Sequence, residues 1–236
     1  MSALADHEVF ELEVLEVLNK AGFLRPLVFG GGTMLRLCHE LPRYSVDLDF
    51  WFSRKTSYRN FHAKLSKFLE DRYRMTDVKN KHFTLLYEFR GGMSGRKLKV
   101  EIRKELVTKG LEQAIAYSRH GSSQVLVRAL SLKETARRKM LAVRSRDEMR
   151  DYFDLEFLLR KGVKIRFTEA DKTLILGRIH RFKKSDYGGI LGGLLEKDLR
   201  DYYIRSGFSY LAGALNFSGR NGHRSLPSLR RRGTGR

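Results

Sequence analysis

The chain has 236 residues, 42% of them hydrophobic and only three prolines, which fits an ordered globular protein with a core of its own. No apolar run reaches the ~20 residues needed to cross a bilayer, and the single cysteine, Cys38, excludes an internal disulfide framework and predicts a cytoplasmic protein. Lysine and arginine total 47 against 27 acids, a formal charge of +20, which favours polyanionic partners and nucleic acid above others.

The first twenty residues run against that balance, with five acids (Asp6, Glu8, Glu11, Glu13, Glu16) and one base, Lys20. They are amphipathic, unlike a secretory signal or transit peptide. Val9, Phe10, Leu12, Val14, Leu15, Val17 and Leu18 recur at helical spacing, and Gly22 supplies a stop. "RPLVF" then reads as a short buried strand, "GGG" as a turn, and "TMLRLCHE" as a helix ended by Pro42. "VDLDFWF" is the next strand and "YRNFHAKLSKFLEDRY" an amphipathic helix. "FTLLYEFRGGMSGRKLKVEIRKE" has the pattern of a hairpin, and "SQVLVRAL" adds a strand.

From Ser131 the pattern is helical. "SLKE" predicts a capping box with Ser131 at N-cap and Glu134 at N3. A second helix covers "DEMRDYFDLEFLLRK" up to Gly162, and a third starts near Thr168. "GGILGGLLEKDLRDYY" and "FSYLAGALNF" are read as helical despite their glycines. The expected division is an α/β unit over 1–128, a helical unit over 129–217, and from about Ser218 a disordered tail with six arginines and no acid.

Chemistry concentrates in "VDLDFWF". Side chains alternate along a strand, so Asp47 and Asp49 share one face while Val46, Leu48, Phe50 and Phe52 take the other. Two readings fit: a half-exposed strand with solvated aspartates, or a carboxylate pair holding Mg²⁺, which binds through one or two carboxylates plus substrate phosphates. Glu101, in "LKVEIRKE", could join them as a third ligand or base if its strand lies alongside. Upstream, "FGGGT" places glycines between a strand and a helix N-terminus, where backbone amides can meet a phosphate. Lys139 is either a lysine snorkelling from an amphipathic helix or a point charge for a triphosphate. On one helical face, Asp151 and Asp154 fit salt bridges as well as a site, with Arg150–Asp154 as an i,i+4 pair.

Gly31, Gly32 and Thr33 followed by Asp47-Leu48-Asp49 resemble the signature of the polymerase-β-like nucleotidyltransferase superfamily. The fuller string "FGGGTMLRLCHELPRYSVDLDF" is similar to the AbiEii/AbiGii-type nucleotidyltransferase toxins of toxin–antitoxin and phage-defence systems, with Leu35, Arg36, Arg43 and Ser45 at matching places. "ARRKMLAVRSRDEMRDYFDLEFLL" extends the likeness through Lys139, Arg146, Arg150, Asp151 and Asp154; Arg138 departs from the acidic residue usual before that lysine. The resemblance implies an α+β fold, a mixed nucleotidyltransferase-like sheet with flanking helices and a helical second half. It implies Asp47, Asp49 and Glu101 as metal-binding and catalytic, with Lys139 and Asp151 assisting. Gly31, Gly32, Thr33, Arg36, Arg43, Ser45 and Lys139 are implied to bind the nucleotide. The expected activity is Mg²⁺- or Mn²⁺-dependent transfer of NMP from an NTP, most naturally to RNA at a tRNA 3′ end. A cognate winged-helix antitoxin is the implied partner. A non-catalytic RNA- or partner-binding module, and nucleotidylation of a protein or small molecule, are the alternatives.

Overall fold

The computed structural model describes residues 2–92 and 95–217. The tail expected from Ser218 and the tip of the expected hairpin, residues 93–94, lie outside the described residues. Helix α1 (Ala3–Lys20) is capped by the Ser2 hydroxyl, which accepts from the Ala5 amide, and the chain turns at Gly22 with φ +80°. Strand β1 (Leu27–Gly30) leads directly into α2 (Gly31–His39). That helix ends at His39, with Glu40 left-handed at φ +63°, so Pro42 lies beyond the stop rather than causing it. β2 (Asp47–Phe52) and α3 (Tyr58–Glu70) follow, and then β3 (Arg74–Asn80), β4 (Thr84–Arg90), β5 (Lys97–Leu106), β6 (Leu111–Tyr117) and β7 (Gln124–Leu130).

The strands form one mixed sheet in the order β3-β4-β5-β2-β1-β7-β6. β2 and β1 are antiparallel, whereas β2–β5 and β1–β7 run parallel. β4 and β5 pair antiparallel, as the hairpin pattern predicts. β3 and β6 have no counterpart in the sequence reading. They are the two edge strands of the sheet, and "RMTDVKN" and "LEQAIAY" lack the apolar alternation that marks a strand buried on one face.

Helices follow Leu130: α4 (Leu132–Ser145), α5 (Met149–Arg160), α6 (Glu169–Ile179), α7 (Lys184–Asp186), α8 (Lys197–Ser206) and α9 (Ser209–Phe217). Ser131 caps α4 by accepting from the Glu134 amide, but the reciprocal half of the expected box is absent: the Glu134 carboxylate takes Arg137 and Arg138 instead. A complete box forms two helices later, at the start of α6, between Thr168 and Asp171. The glycines of "YGGILGGL" break the expected long helix into a π-helical turn (Tyr187–Leu191) and a 3₁₀ turn (Gly192–Leu194) before α8.

The core lies under the apolar face of β2. Leu48, Phe50 and Phe52 are buried there, and the Phe29 and Phe50 rings stack at 5.2 Å. Burying a side chain of this size contributes roughly 1.5–3 kcal/mol. The opposite face of the same strand is thereby fixed outward, toward α4.

Candidate functional site

Register decides which charges meet. Asp47 pairs with Lys99 and Asp49 with Glu101 across the parallel β2–β5 ladder, and Gly30 of β1 pairs with Asp49 from the other side. With alternation, Asp47, Asp49 and Trp51 share a face with Lys99, Glu101 and Arg103. This face forms one wall of a cleft of about 620 Å³. The opposite wall is α4, which contributes Thr135, Arg138, Lys139 and Ala142 at helical spacing, followed by Arg146 just past its end.

The glycine loop is pressed onto the carboxylates. Gly31 has φ +76°, and a Cβ there would stand 2.1 Å from Asp49 Oδ2. A Cβ at Gly32 would meet the Arg43 guanidinium at 2.6 Å and Ser45 Oγ at 2.8 Å. Gly31, Gly32, Arg43, Ser45, Asp47, Asp49, Glu101 and Lys139 therefore all line one cleft.

Burial, followed by the charges of Asp47 and Glu101, pushes the Asp49 carboxyl up to about 6. Lys99 Nζ lies 3.1 Å from Asp47 and 3.9 Å from Glu101, while Arg103 is 3.6 Å from Glu101. Among the described residues no set of three His, Cys, Asp or Glu side chains is gathered to hold a metal. A Mg²⁺ ion does not require three, since phosphate oxygens complete its shell. The hard oxygens of Asp47 and Asp49, the latter costly to ionise without a cation, fit such an ion.

Across the cleft, Lys139 Nζ bonds Asp151 at 2.9 Å and Asp154 at 2.6 Å. Arg146 reaches Asp151 at 2.7 Å, and Arg43 grips both Asp154 oxygens at 2.7 Å. Burial alone would raise both carboxyls, but Lys139 and Arg146 around Asp151, and Arg43 and Lys139 around Asp154, hold them below the usual range. Both aspartates are fully buried, so they position the bases in front of them. The Arg150–Asp154 pair does not form. Arg43 and Lys139 occupy Asp154, and the charged neighbour of Arg150 is Glu148 at 3.9 Å.

Two residues expected at the nucleotide stand elsewhere. Thr33 is fully buried and its hydroxyl donates to the Asp47 carbonyl at 2.6 Å, so it steadies β2 and presents no group to the cleft. Arg36 pairs with Glu8 at 2.6 Å, donates to the Leu41 carbonyl, and faces a separate cavity of about 390 Å³. Sequence reasoning in turn missed Lys99, Arg103 and Trp51. Their signal was available, since each lies two positions from a carboxylate on the same strand face. It also missed a buried layer under the site: Glu11 beside Thr33, His7 Nε2 at 3.3 Å from the Val46 carbonyl, and Glu8 accepting from Ser118 at 2.6 Å. Burial first, and then the charges of Glu8 and Asp47, raises the Glu11 carboxyl well above its ordinary value.

The sequence profile of the AbiEii nucleotidyl transferase toxin family, a type IV toxin–antitoxin system, matches residues 13–204. The chain belongs to this family. The matched span runs from α1 into α8, so both walls of the cleft fall inside it. AbiEii membership makes the chain a nucleotidyltransferase and the toxin of a toxin–antitoxin pair. Among solved structures it resembles MenT4, a nucleotidyltransferase toxin of Mycobacterium tuberculosis H37Rv, with 18% identity, 89% of this chain and 84% of that one covered, and a TM-score of 0.56. That likeness supports the fold: a mixed α/β architecture of the nucleotidyltransferase toxin type. JHP933 of Helicobacter pylori aligns at 20% identity over 86% of this chain and 95% of its own, with a TM-score of 0.45. An antigenic nucleotidyltransferase-like protein of Paracoccidioides brasiliensis aligns at 14% identity over 82% and 95%, with a TM-score of 0.47. No curated protein matches the chain. Among the described residues, no helix is long and apolar enough to cross a membrane.

Proposed function

We propose that the cleft between β2 and α4 moves a nucleoside monophosphate from an NTP to an RNA acceptor, at the 3′ end of tRNA. The observation that carries this reading is the convergence of Asp47, Asp49 and Glu101 on one wall, opposite Lys139 and Arg146 on the other. The Gly31–Gly32 backbone and Lys139 hold the β- and γ-phosphates, with Arg43 and Ser45 bracing the loop from behind. Asp47 and Asp49 would hold Mg²⁺ or Mn²⁺, with Glu101 at the edge of that shell; the ion supplies charge neutralisation at the α-phosphate. The acceptor hydroxyl oxygen bonds to the α-phosphorus as the α–β P–O bond breaks. Its proton goes to Glu101, and pyrophosphate leaves with the electron pair. Asp151 keeps Lys139 and Arg146 in place.

The formal +20 charge and the basic rim, with Arg103, Arg138, Arg146 and Arg150 lining the cleft, support RNA over a neutral acceptor. On the proposed division into an α/β unit over 1–128 and a helical unit over 129–217, each unit would contribute one catalytic wall, although β7 continues to Leu130. A winged-helix antitoxin and a cytoplasmic setting complete the reading. Total RNA incubated with the protein, Mg²⁺ and each α-labelled NTP tests it. Label should enter RNA with one or more NTPs, and Asp49→Ala should abolish transfer. Tight RNA binding without transfer from any NTP would leave only a binding module.

A further inference from the structure

The cleft extends past the carboxylates and Lys139, and its far end has a different chemistry. On β2 that end is Trp51, two residues beyond Asp49 or about 6.6 Å along the strand. On α4 it is Thr135, one turn before Lys139 or about 6 Å along the helix. Leu130 adds apolar wall, and the Arg138 guanidinium lies over the indole at 4.8 Å, itself paired to Glu105 at 2.8 Å.

Two features mark this end as built for a ligand. Gly30 brings bare backbone against the indole, since a Cβ there would stand 2.4 Å from the ring, so the position of Trp51 is fixed from behind. In addition, Thr135 is only 2% exposed, lines the cleft, and its hydroxyl has no hydrogen-bond partner. A buried hydroxyl left unpaired costs about 1–3 kcal/mol, so its retention on a cleft wall calls for a partner that arrives from outside.

We propose that the Trp51–Thr135–Arg138 end of the cleft is the nucleobase subsite of the donor NTP, with the Thr135 hydroxyl hydrogen-bonding the base edge and so setting which NTP is used. This inference rests on the reading of the Gly31–Lys139 end as the triphosphate site. A triphosphate seated there directs its own ribose along the contiguous cleft, and the span of about 6 Å on both walls is the room a ribose needs. The base then reaches a compartment walled by Trp51 and Leu130, with one hydroxyl to pair and the Arg138 guanidinium to lie against. A hydroxyl that donates and accepts can read an edge only if the complementary group faces it, which makes it a discriminator among bases.

Trp51 is the only tryptophan in the chain, so its fluorescence reports this end alone. The experiment titrates the full-length protein and its Thr135→Val variant with each of the four NTPs and with inorganic tripolyphosphate, all with Mg²⁺. Fluorescence and calorimetry are read together. The wild type should bind one NTP or one base class tightest, and that NTP should perturb Trp51 emission. Thr135→Val, which keeps the shape and loses the hydrogen bond, should weaken the preferred NTP by roughly 3- to 10-fold and flatten the ranking. Tripolyphosphate affinity should not change between the two proteins. If NTPs bind but Thr135→Val leaves their ranking intact, or weakens all four equally, the base subsite is wrong while the triphosphate site stands. If neither NTPs nor tripolyphosphate bind, the triphosphate site falls and the subsite falls with it.

Discussion

Asp49 and Glu11 are both carboxyls that the fold makes hard to ionise, yet they stand in different layers. Asp49 faces the cleft, where an incoming cation can compensate it. Glu11 lies behind β2, fully buried, and meets Thr33 and His7, with Glu8 and Asp47 opposing its charge and Arg36 weakly favouring it. Its folded pKa is raised, so the penalty is absent below the unfolded value near 4.5, grows as pH rises beyond it, and levels off above the folded value. Glu11→Gln should therefore match the wild type in thermal stability at pH 4.5 and exceed it increasingly toward pH 8. Each kcal/mol gained would raise Tm by roughly 2–4 °C. Equal or lower stability of the variant across that range would mean that Glu11 is ionised and paired. This layer was illegible in the sequence because Glu8 and Glu11 stand there only as two of five acids in an amphipathic segment. Only the tertiary contacts with Thr33, Arg36 and Ser118 reveal that the face is inward.

At the scale of elements, the β1–α2 junction and the β2–β5 ladder build the site. Alternation along "VDLDFWF" placed Asp47 and Asp49 together from sequence alone, and the parallel β2–β5 register brings Glu101 opposite Asp49. Thr33 and Arg36 lie outside the cleft because they fall on faces of α2 turned toward Asp47 and toward Glu8, and the sequence alone does not fix how α2 is rotated about its axis. Gly31 is the tightest point. An alanine there must hold φ +76°, at a cost of roughly 1–2 kcal/mol, and its Cβ would collide with the Asp49 carboxylate. Gly31→Ala should lower stability by about 1–3 kcal/mol and also reduce nucleotidyl transfer by more than 10-fold, since Asp49 must move. Unchanged transfer by the purified variant would show that the loop's approach to Asp49 does not matter. The edge strands β3 and β6 escaped the sequence because an edge packs too little apolar surface to impose a period.

For the molecule as a whole, the sheet side and the helical side of the cleft are tied through buried Asp154, which Arg43 and Lys139 share. Arg43 precedes β2 and Asp154 lies in α5, and both are shielded from water. Removing one charge leaves its partner uncompensated, a loss of roughly 3–5 kcal/mol for buried pairs, so Asp154→Asn should be strongly destabilised at pH 7. The Asp154 pKa is depressed, so its contribution is present above the unfolded value near 3.8 and is lost as pH falls below that through the folded value. The gap between variant and wild type should accordingly narrow in acid denaturation, and a gap independent of pH would contradict the pairing. The sequence offered Arg150 for this role because i,i+4 spacing is visible along a chain, whereas a partner 111 residues away is not.

Charge also acts globally. If the proposed acceptor is RNA, its binding should weaken linearly in log K against log salt, and exposed Arg150→Gln, at the cleft rim, should reduce that slope by about 0.7. An unchanged slope would remove Arg150 from the path of the RNA backbone.

The most direct test of the central claim is anomalous diffraction from crystals grown with Mn²⁺ and a non-hydrolysable NTP. The account predicts a manganese peak bound by Asp47 and Asp49, with the triphosphate against Gly31–Gly32 and Lys139. A metal bound away from Asp47 and Asp49, or a triphosphate seated in the cavity beside Arg36, would contradict it.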